Sequence, residues 1–396
     1  MRRLRGVNVQ DQDSPSQSRS INLLVCILSA VLLAAPAISF TTGNRHTPSL
    51  NRALTDAHGF QDGWEIATIA GKAVNDRLPL RDKAINIDSF IDRKVFNEQP
   101  AFGGAATPQV LEGSDGFLFL KDVFDAACNP HGTPQSVSAN VKRFADIIQR
   151  SGRKIVITVA PDKSSILTDK FPSDHPQSEC HRVHQDQLWK SLEVADIPGY
   201  IDLRKTLRNA VVRTREPLYL RQDSHWDSRG SLVAIKEVVK KFRPGVWSDT
   251  YIAYNGELDY TGDLEAMRGG TKTDQSPFFS INRPSIKVVQ EQYDEAYPPG
   301  YRRLSEMSGP DGSLIEGKTL MLFDSYGMAA IEQVVPFFKK LETMNFNNFE
   351  TKKWIERIKA SQNIWFLCVE RSLEYRLTYD MGSAAFLDTL DKALNG

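Results

Sequence analysis

A carboxylate, an imidazole and a hydroxyl in this sequence have the types and spacing needed to activate an alcohol. Asp223 and His225 are separated by one residue, so in an extended segment both side chains project to the same side. Asp223 can then fix the tautomer of His225 and stabilise its imidazolium. Ser325 follows the apolar run TLMLF and one aspartate, where a strand is expected to pass into a helix. The three residues together predict nucleophilic acyl chemistry.

Each of these residues also has a simpler structural interpretation. Ser325 and the preceding Asp324 are favoured helix caps, and a histidine beside a loop carboxylate is commonly structural. Their joint occurrence at the polar ends of elements in one domain favours the catalytic interpretation. In that interpretation, the backbone N–H groups of Tyr326 and Gly327 would face a developing oxyanion.

Two cations are further candidates for binding substrate or stabilising an anion. Arg221 lies two residues before Asp223, and we expect it to pair with that carboxylate or to line the cleft. Lys163 follows the apolar run KIVITVA, at the sheet edge where chemistry gathers in parallel α/β proteins. The alternative for Lys163 is a charged end of a strand that is exposed to water.

Strands and long helical patterns alternate along most of the chain, which predicts an α/β fold with a parallel sheet flanked by helices. A turn at residues 114–116 between apolar flanks predicts a hairpin at the start of this domain. The other predicted strands are Lys154–Ala160, Tyr200–Leu203, Thr319–Phe323 and Ile364–Val369, and the predicted helices are Ser138–Arg150, Ser228–Phe242, Met328–Leu341 and Phe349–Ala360. The site is therefore expected at the carboxyl ends of the strands.

The segment from Ile21 to Phe40 has no charged residue and is long enough to cross a bilayer once as a helix. Arginines precede it, so the positive-inside rule predicts a cytoplasmic tail over 1–20, an anchor over 21–40, an outward-facing stem over 41–105 and a catalytic domain over 106–396. A cleaved signal peptide is the alternative, because Ala35-Pro36-Ala37 loosely resembles a cleavage site. The proline and the length of the run favour the anchor.

The overall charge and hydropathy exclude two classes of protein. Lys and Arg total 49 and Asp and Glu total 49, whereas a general nucleic-acid binder needs a surplus of cations. The mean hydropathy of -0.37 excludes a polytopic membrane protein. The class that remains is a water-soluble domain attached to the membrane by a single anchor.

Cys128 and Cys180 lie in polar, loop-like sequence and predict one disulfide, provided that the domain is exported to an oxidising compartment. Cys368 lies in an apolar run and is expected to be a buried, inert thiol. The alternative for Cys180 is a metal site built with His175, His181 and His184. A second close ligand pair is missing from this run, so we expect no metal.

The run from Tyr219 to Gly230, YLRQDSHWDSRG, resembles the SGNH-hydrolase-like acyltransferases of the alginate O-acetyltransferase (AlgJ/AlgX) type. Ala160-Pro-Asp-Lys163 precedes it and the Asp-Ser-Tyr turn at 324–326 comes after it, as in that family. Gly113–Phe119 (GSDGFLF) and Thr261–Leu264 (TGDL) are close to two further family segments. The family places Asp and His before Ser, a permuted order relative to ordinary SGNH esterases, and this chain has that order.

The resemblance implies Ser325 as the acyl-accepting nucleophile, His225 as general base and then acid, and Asp223 as its orienting carboxylate. It also implies a periplasmic or extracellular enzyme that moves an acetyl or short acyl group to a hydroxyl of a cell-surface glycan or glycolipid, without a cofactor. Acetyl-CoA is cytoplasmic, so the implied acyl donor is a membrane-bound O-acyltransferase partner. A carbohydrate O-acetylesterase and a non-catalytic component of polysaccharide or cell-wall assembly are the alternatives.

Overall fold

The structure, a computed structural model, describes residues 109–293, 302–346 and 349–396. The tail, anchor and stem predicted for residues 1–105 lie outside the described residues. Within the described ranges, none of the helices is both long enough and apolar enough to span a bilayer.

The described elements alternate between strands and helices for most of the chain. The strands are β1 (Val110–Glu112), β2 (Leu118–Leu120), β3 (Lys154–Ala160), β4 (Tyr200–Ile201), β5 (Tyr251–Tyr260), β6 (Asp274–Asn282), β7 (Lys287–Tyr293), β8 (Arg302–Ser308), β9 (Ile315–Phe323), β10 (Phe338–Asn345) and β11 (Asn363–Val369). The helices are α1 (Asp122–Cys128), α2 (Pro134–Arg150), α3 (Lys163–Ile166), α4 (Ser178–Val194), α5 (Leu203–Thr214), α6 (Ser228–Phe242), α7 (Asp263–Met267), α8 (Ser325–Met328), α9 (Ile331–Val334), α10 (Thr351–Lys359), α11 (Glu370–Tyr379) and α12 (Ala384–Asn395).

A seven-stranded sheet in the order β4-β3-β11-β9-β10-β8-β7 forms the centre of the fold. The five strands from β4 to β10 are parallel, and β8 and β7 continue the sheet in antiparallel fashion. Two separate two-stranded pairs, β1-β2 and β5-β6, lie outside this sheet. The predicted α/β class and hairpin are therefore confirmed, whereas the sheet is mixed rather than purely parallel.

Alternate residues of the central strands feed two apolar layers. Ile155, Ile157 and Val159 of β3 pack with the layer formed by α2, α4, α10, α11 and α12. Val156 and Ala160 pack on the other face, with α5, α6 and α9. Burial on both faces explains why these strands appear in the sequence as unbroken apolar runs.

The helix predicted from Met328 to Leu341 is wrong. Only the short helix α9 and a 3-10 turn over Val335–Phe337 form after α8 ends at Met328, and the chain then enters β10, which pairs with β9 on one side and β8 on the other. The apolar residues of this segment do recur at helical spacing, but Pro336 has no N–H to continue the α-helical hydrogen bonds, and α9 ends at Val334. Ladder pairing inside the sheet then decides the conformation of residues 338–345.

The predicted disulfide between Cys128 and Cys180 is present, with a Cα–Cα distance of 5.5 Å. Its cysteines lie at helix ends rather than in loops: Cys128 ends α1 and Cys180 lies in the first turn of α4. Because the Cys180 sulfur is bonded to Cys128, it is not available as a metal ligand. His181 is hydrogen-bonded to Ser164 at 3.2 Å, so this side chain is also engaged.

Reduction of this bridge should lower thermal stability. The two cysteines are 52 positions apart, and releasing a loop of that size costs about 4 kcal/mol in the loop-entropy treatment. We expect the melting temperature of the full chain to fall by several degrees with reductant, measured by calorimetry. The double variant Cys128→Ser/Cys180→Ser should show the same lower value and no further response to reductant. An unchanged melting temperature would contradict a stabilising bridge.

Candidate active site

Asp223 and His225 lie on a tight loop, residues 217–227, that joins α5 to α6. An antiparallel bridge between Tyr219 and Trp226 closes this loop in the manner of a small hairpin. Both aromatic side chains are buried, so the base of the loop is part of the core. We refer to residues 217–227 as the triad loop.

Three hydrogen bonds attach the triad loop to the segments that follow β3 and β9. The Tyr219 hydroxyl donates to the carbonyl of Pro161, just after β3, at 2.7 Å. The Trp226 indole donates to the carbonyl of Tyr326 at 3.2 Å, and the Tyr326 hydroxyl donates to the carbonyl of Ser224 at 2.6 Å. The loop is thereby held against the turn after β9 that contains the predicted nucleophile.

Asp223 orients His225 as predicted from their spacing. One oxygen of Asp223 accepts hydrogen bonds from the backbone N–H of His225 at 2.9 Å and from its Nδ1 at 2.7 Å. The other oxygen accepts from the backbone N–H of Asp263 at 2.9 Å. Burial alone would raise the pKa of Asp223, but the imidazole and these N–H groups outweigh it and hold the pKa well below its usual range.

A second carboxylate, Asp263, supports the same histidine from the start of α7. It accepts hydrogen bonds from the backbone N–H of Ser224 at 2.7 Å and from the Ser224 hydroxyl at 2.6 Å, and lies 3.7 Å from Nδ1 of His225. A Cβ atom at Gly262 would lie 1.9 Å from the Gln222 carbonyl oxygen, so glycine is needed for this approach. This role of Asp263 was not predicted from the sequence. The available signal was an aspartate that follows a glycine at the start of a helix.

The Nε2 atom of His225 is buried and has no hydrogen-bond partner among the described residues. Burial would lower the pKa of His225, but the hydrogen bond and charge of Asp223, together with the charge of Asp263, raise it. With the Nδ1 proton directed to Asp223, Nε2 carries the free lone pair of the neutral ring. This atom is therefore equipped to accept a proton from a hydroxyl group.

Ser325 begins α8 directly after β9, and it precedes Tyr326, whose ring centroid lies 5.0 Å from that of His225. The Asp324 carboxylate caps this turn by accepting from the N–H of Tyr326 at 3.0 Å and from that of Val369 at 2.5 Å. The cap interpretation thus applies to Asp324, and Ser325 directly precedes Tyr326, the residue that is hydrogen-bonded to the triad loop.

The N–H groups predicted to face an oxyanion are engaged within the turn. That of Tyr326 donates to the Asp324 carboxylate, and that of Gly327 donates to the Asp324 carbonyl at 2.9 Å. Both N–H groups therefore have acceptors inside the turn itself.

A buried charge cluster behind Tyr326 was not predicted. The Arg371 guanidinium lies 5.6 Å from the Tyr326 ring centroid and forms an ion pair with Asp162. Glu370 accepts from the backbone N–H of Asp162 at 2.9 Å and from the Ser165 hydroxyl at 2.6 Å. Burial and the charge of Asp162 raise the pKa of Glu370 to about 7. The available sequence signal was the charged pair Glu370 and Arg371, which directly follows the buried strand β11. A signal of the same kind, a charge after a buried strand, singled out Lys163.

Lys163 is only 4% exposed, so the water-exposed alternative is wrong. Its ammonium donates to the carbonyl of Leu118 at 2.7 Å and to that of Arg221 at 3.3 Å. Burial lowers its pKa to about 7, although Asp223 and Asp263 oppose this effect. Lys163 therefore joins the β1-β2 hairpin to the triad loop instead of extending into a cleft.

Arg221 does not pair with Asp223. Its guanidinium lies 3.4 Å from the Asp274 carboxylate and 5.5 Å from the Phe117 ring centroid. The side chain lines an open cavity of about 360 Å³ beside the triad loop, together with Tyr260. Asp223, His225 and Ser325 do not line this cavity, so a substrate-cleft role for Arg221 stays a prediction.

Asp223, His225 and Asp263 also offer ligand atoms within 4.8 Å of one another. In the described structure these atoms are hydrogen-bonded to each other and to the backbone, and the Nδ1 proton lies between His225 and Asp223. A cation would have to displace that proton, so the donor set fits an oriented base better than a metal centre.

Comparison with known proteins supports the resemblance. Residues 110–291 match the family model described as SGNH hydrolase-like domain, acetyltransferase AlgX. A probable alginate O-acetylase AlgJ from Pseudomonas syringae is 24% identical over 222 residues, 56% of this chain and 52% of that protein. The probable alginate O-acetylase AlgJ of Pseudomonas aeruginosa is 25% identical over 261 residues, 64% of this chain and 58% of that protein. The chain thus spans about half the length of these curated relatives.

Two solved structures are also similar. The O-acetyltransferase domain of Pseudomonas putida AlgJ aligns with a TM-score of 0.49 at 15% identity, over 72% of this chain and 99% of that one. Pseudomonas aeruginosa AlgX aligns with a TM-score of 0.45 at 13% identity, over 72% and 66%. The family match and the sequence relatives confirm the resemblance to the AlgJ/AlgX type.

The electrostatic role of Asp263 can be tested by titrating His225. We expect Asp263→Asn to lower the pKa of His225, because one of the two carboxylates that stabilise the imidazolium becomes neutral. Ring-proton NMR of the full chain measures this, with the signal assigned by its loss in His225→Gln. Asp274→Asn is the matched control and should leave the value unchanged. An equal pKa in wild type and Asp263→Asn would contradict the role.

Proposed function

We propose that this chain, which resembles the AlgJ/AlgX type of SGNH-hydrolase-like acyltransferase, transfers an acetyl or short acyl group to a hydroxyl of a cell-surface glycan or glycolipid. Ser325 is the nucleophile, His225 the general base and acid, and Asp223 the orienting carboxylate. The reaction needs only these side chains.

The observation that carries this proposal is the hydrogen bonding of the two ring nitrogens of His225. Nε2 of His225 is buried and has no partner among the described residues, while Nδ1 is held by Asp223, and Tyr326, the residue after Ser325, is hydrogen-bonded to this loop. A structural histidine is expected to satisfy both ring nitrogens, because an unpaired buried polar atom costs about 1–3 kcal/mol. A base that waits for the proton of a hydroxyl has this arrangement.

The proposed reaction has two halves. His225 Nε2 takes the proton of Ser325 as its Oγ bonds to the acyl carbonyl carbon of the donor, and the donor's leaving group departs with that proton. The glycan hydroxyl then gives its proton to Nε2 and attacks the acyl carbon. The bond to Ser325 Oγ breaks, and the serine recovers the proton. Asp223 stabilises the imidazolium in both halves.

The relatives support the choice of transfer and of acceptor. Proteins named probable alginate O-acetylase AlgJ acetylate a polysaccharide according to that name, and this chain shares about a quarter of its aligned residues with them. We therefore propose that this chain also transfers an acyl group and that its acceptor is also a glycan.

The proposal includes placement and a donor. The catalytic domain, from residue 106 onward, works outside the cytoplasm on an anchor over residues 21–40. The uncharged run in the sequence and the bridged Cys128 and Cys180, which suit an oxidising compartment, support this placement. Acetyl-CoA does not reach that side, so a membrane-bound O-acyltransferase supplies the acyl group.

Ser325→Ala should abolish acyl transfer without unfolding the protein. We expect the rate with an acetyl ester and an oligosaccharide acceptor to fall by at least about 10⁴-fold, as when a serine nucleophile is removed elsewhere. Mass spectrometry of the oligosaccharide measures transfer, and Ser248→Ala, an exposed serine, is the control. Normal transfer by Ser325→Ala would overturn the assignment, and wild-type protein that releases only free acetate would be an esterase.

Deleting the donor partner should abolish acylation of the glycan in cells, because the acyl group no longer reaches the outer side. Purified full-length protein from the same cells should still hydrolyse a small acetyl ester, since the site itself is intact. Acetyl content of the surface glycan, measured by mass spectrometry, checks the first expectation. Unchanged acetylation in cells that lack every such transporter would contradict the relay.

A further inference from the structure

The two helices on either side of the triad loop concentrate positive charge in a chain whose net charge is zero. Helix α5 has four cations and no acidic residue, and α6 has four cations and one acidic residue, Glu237. The cations are Arg204, Lys205, Arg208, Arg213, Arg229, Lys236, Lys240 and Lys241. We refer to these two helices as the basic face.

Part of this charge is not neutralised within the described structure. Arg204 and Arg229 pair with neighbouring carboxylates, but Arg213, Lys236 and Lys241 have no carboxylate of the described residues within 4 Å. Surface cations elsewhere are often paired within the fold, as in the bridges from α2 to α12. The unpaired cations of the basic face are therefore available to an anionic partner.

An open groove of about 470 Å³ runs between α5 and α6 and combines these cations with apolar side chains. Its charged walls include Arg213, Lys236 and Lys240, and its apolar walls include Trp247 and Ile252. Such a groove suits a ligand that carries both an anionic group and an apolar part.

Exposed apolar residues continue the basic face at its rim. Val212 on α5 is 80% exposed and directly precedes Arg213, and Ile252 on β5 is 50% exposed and lines the groove. Tyr251 and Tyr254 beside it on the same strand are also exposed. Aliphatic and aromatic side chains interleaved with lysine and arginine are typical of surfaces that lie in the headgroup region of a bilayer.

We infer that the basic face binds the surface of a membrane that contains anionic phospholipid. The cations would contact headgroup phosphates, and Val212, Ile252 and the tyrosines would enter the boundary with the acyl chains. A linear polyanion would satisfy the cations but would leave Val212 in water, which favours the bilayer. The triad loop joins the two helices, so this contact would orient the candidate site relative to the membrane, whichever reaction it catalyses.

A fluorophore placed at Val212 tests the inference locally. The full chain, as Cys26→Ser/Val212→Cys labelled with an environment-sensitive dye, is placed in nanodiscs of phosphatidylcholine alone or of phosphatidylcholine and phosphatidylglycerol in equal parts. We expect a blue shift in emission only in the anionic nanodiscs. Salt at about 1 M should reverse it, because the Debye length falls to about 3 Å.

The triple variant Arg213→Glu/Lys236→Glu/Lys240→Glu should lose the shift in the same background. The control Lys352→Glu/Lys359→Glu/Lys392→Glu makes the same change in net charge on α10 and α12 and should keep it. Both triples should keep the melting temperature of the wild-type protein, which shows that they are folded and does not depend on the proposed reaction. An equal shift in both lipids, or a shift produced only by added dextran sulfate, would overturn the inference.

Discussion

Two crossed hydrogen bonds between Tyr326 and the triad loop are the contact on which the site depends. They join residues about 100 positions apart, the indole of Trp226 reaching the Tyr326 carbonyl and the Tyr326 hydroxyl reaching the Ser224 carbonyl. All of these groups are buried, so losing either partner would leave a polar group unsatisfied at a cost of about 1–3 kcal/mol. The contact therefore links the loop that contains Asp223 and His225, on a helix crossover, to the turn after β9 that contains Ser325.

The surroundings of that contact are polar and buried, and each charged group has defined partners. Arg371 lies over Tyr326 and pairs with Asp162, while Asp263 holds Ser224 from the opposite side. Buried charges of this kind contribute little net stability, since desolvation offsets much of their attraction. They do restrict the positions that Tyr326 and the triad loop can adopt.

Sequence reasoning succeeded where the signal is local. The strands β3 and β11 are continuous apolar runs, and α6 has both an aspartate cap and a helical apolar stripe, so neighbours in the sequence determine them. The one-residue spacing of Asp223 and His225 likewise predicts their contact. Residues 338–345, by contrast, continue a run with helical spacing but form β10, because β9 and β8 lie on its two sides, and this pairing is not visible in the segment itself.

The environments of charged residues were the least predictable feature, because burial is a property of the whole fold. Lys163 has the sequence context of a solvated strand end, yet the β1-β2 hairpin covers it and supplies the carbonyl of Leu118. Asp263 lies 38 positions from His225 and Arg371 lies 45 positions from Tyr326, and nothing in their immediate sequence shows which side chain they meet. Tertiary packing alone gives these residues their partners.

The strand order has a consequence for how the domain can fold as it is synthesised. β3 forms near the start of the described domain, but one of its sheet neighbours, β11, begins more than 200 residues later, and β9 also needs β11 beside it. Until residues 363–369 have emerged, both strands present an unpaired edge, which is a template for wrong pairing with other chains. High sequence separation of contacts also slows folding. A chain stalled or truncated before β11 would thus be prone to aggregation, and the central sheet can be completed only after the whole domain has been synthesised.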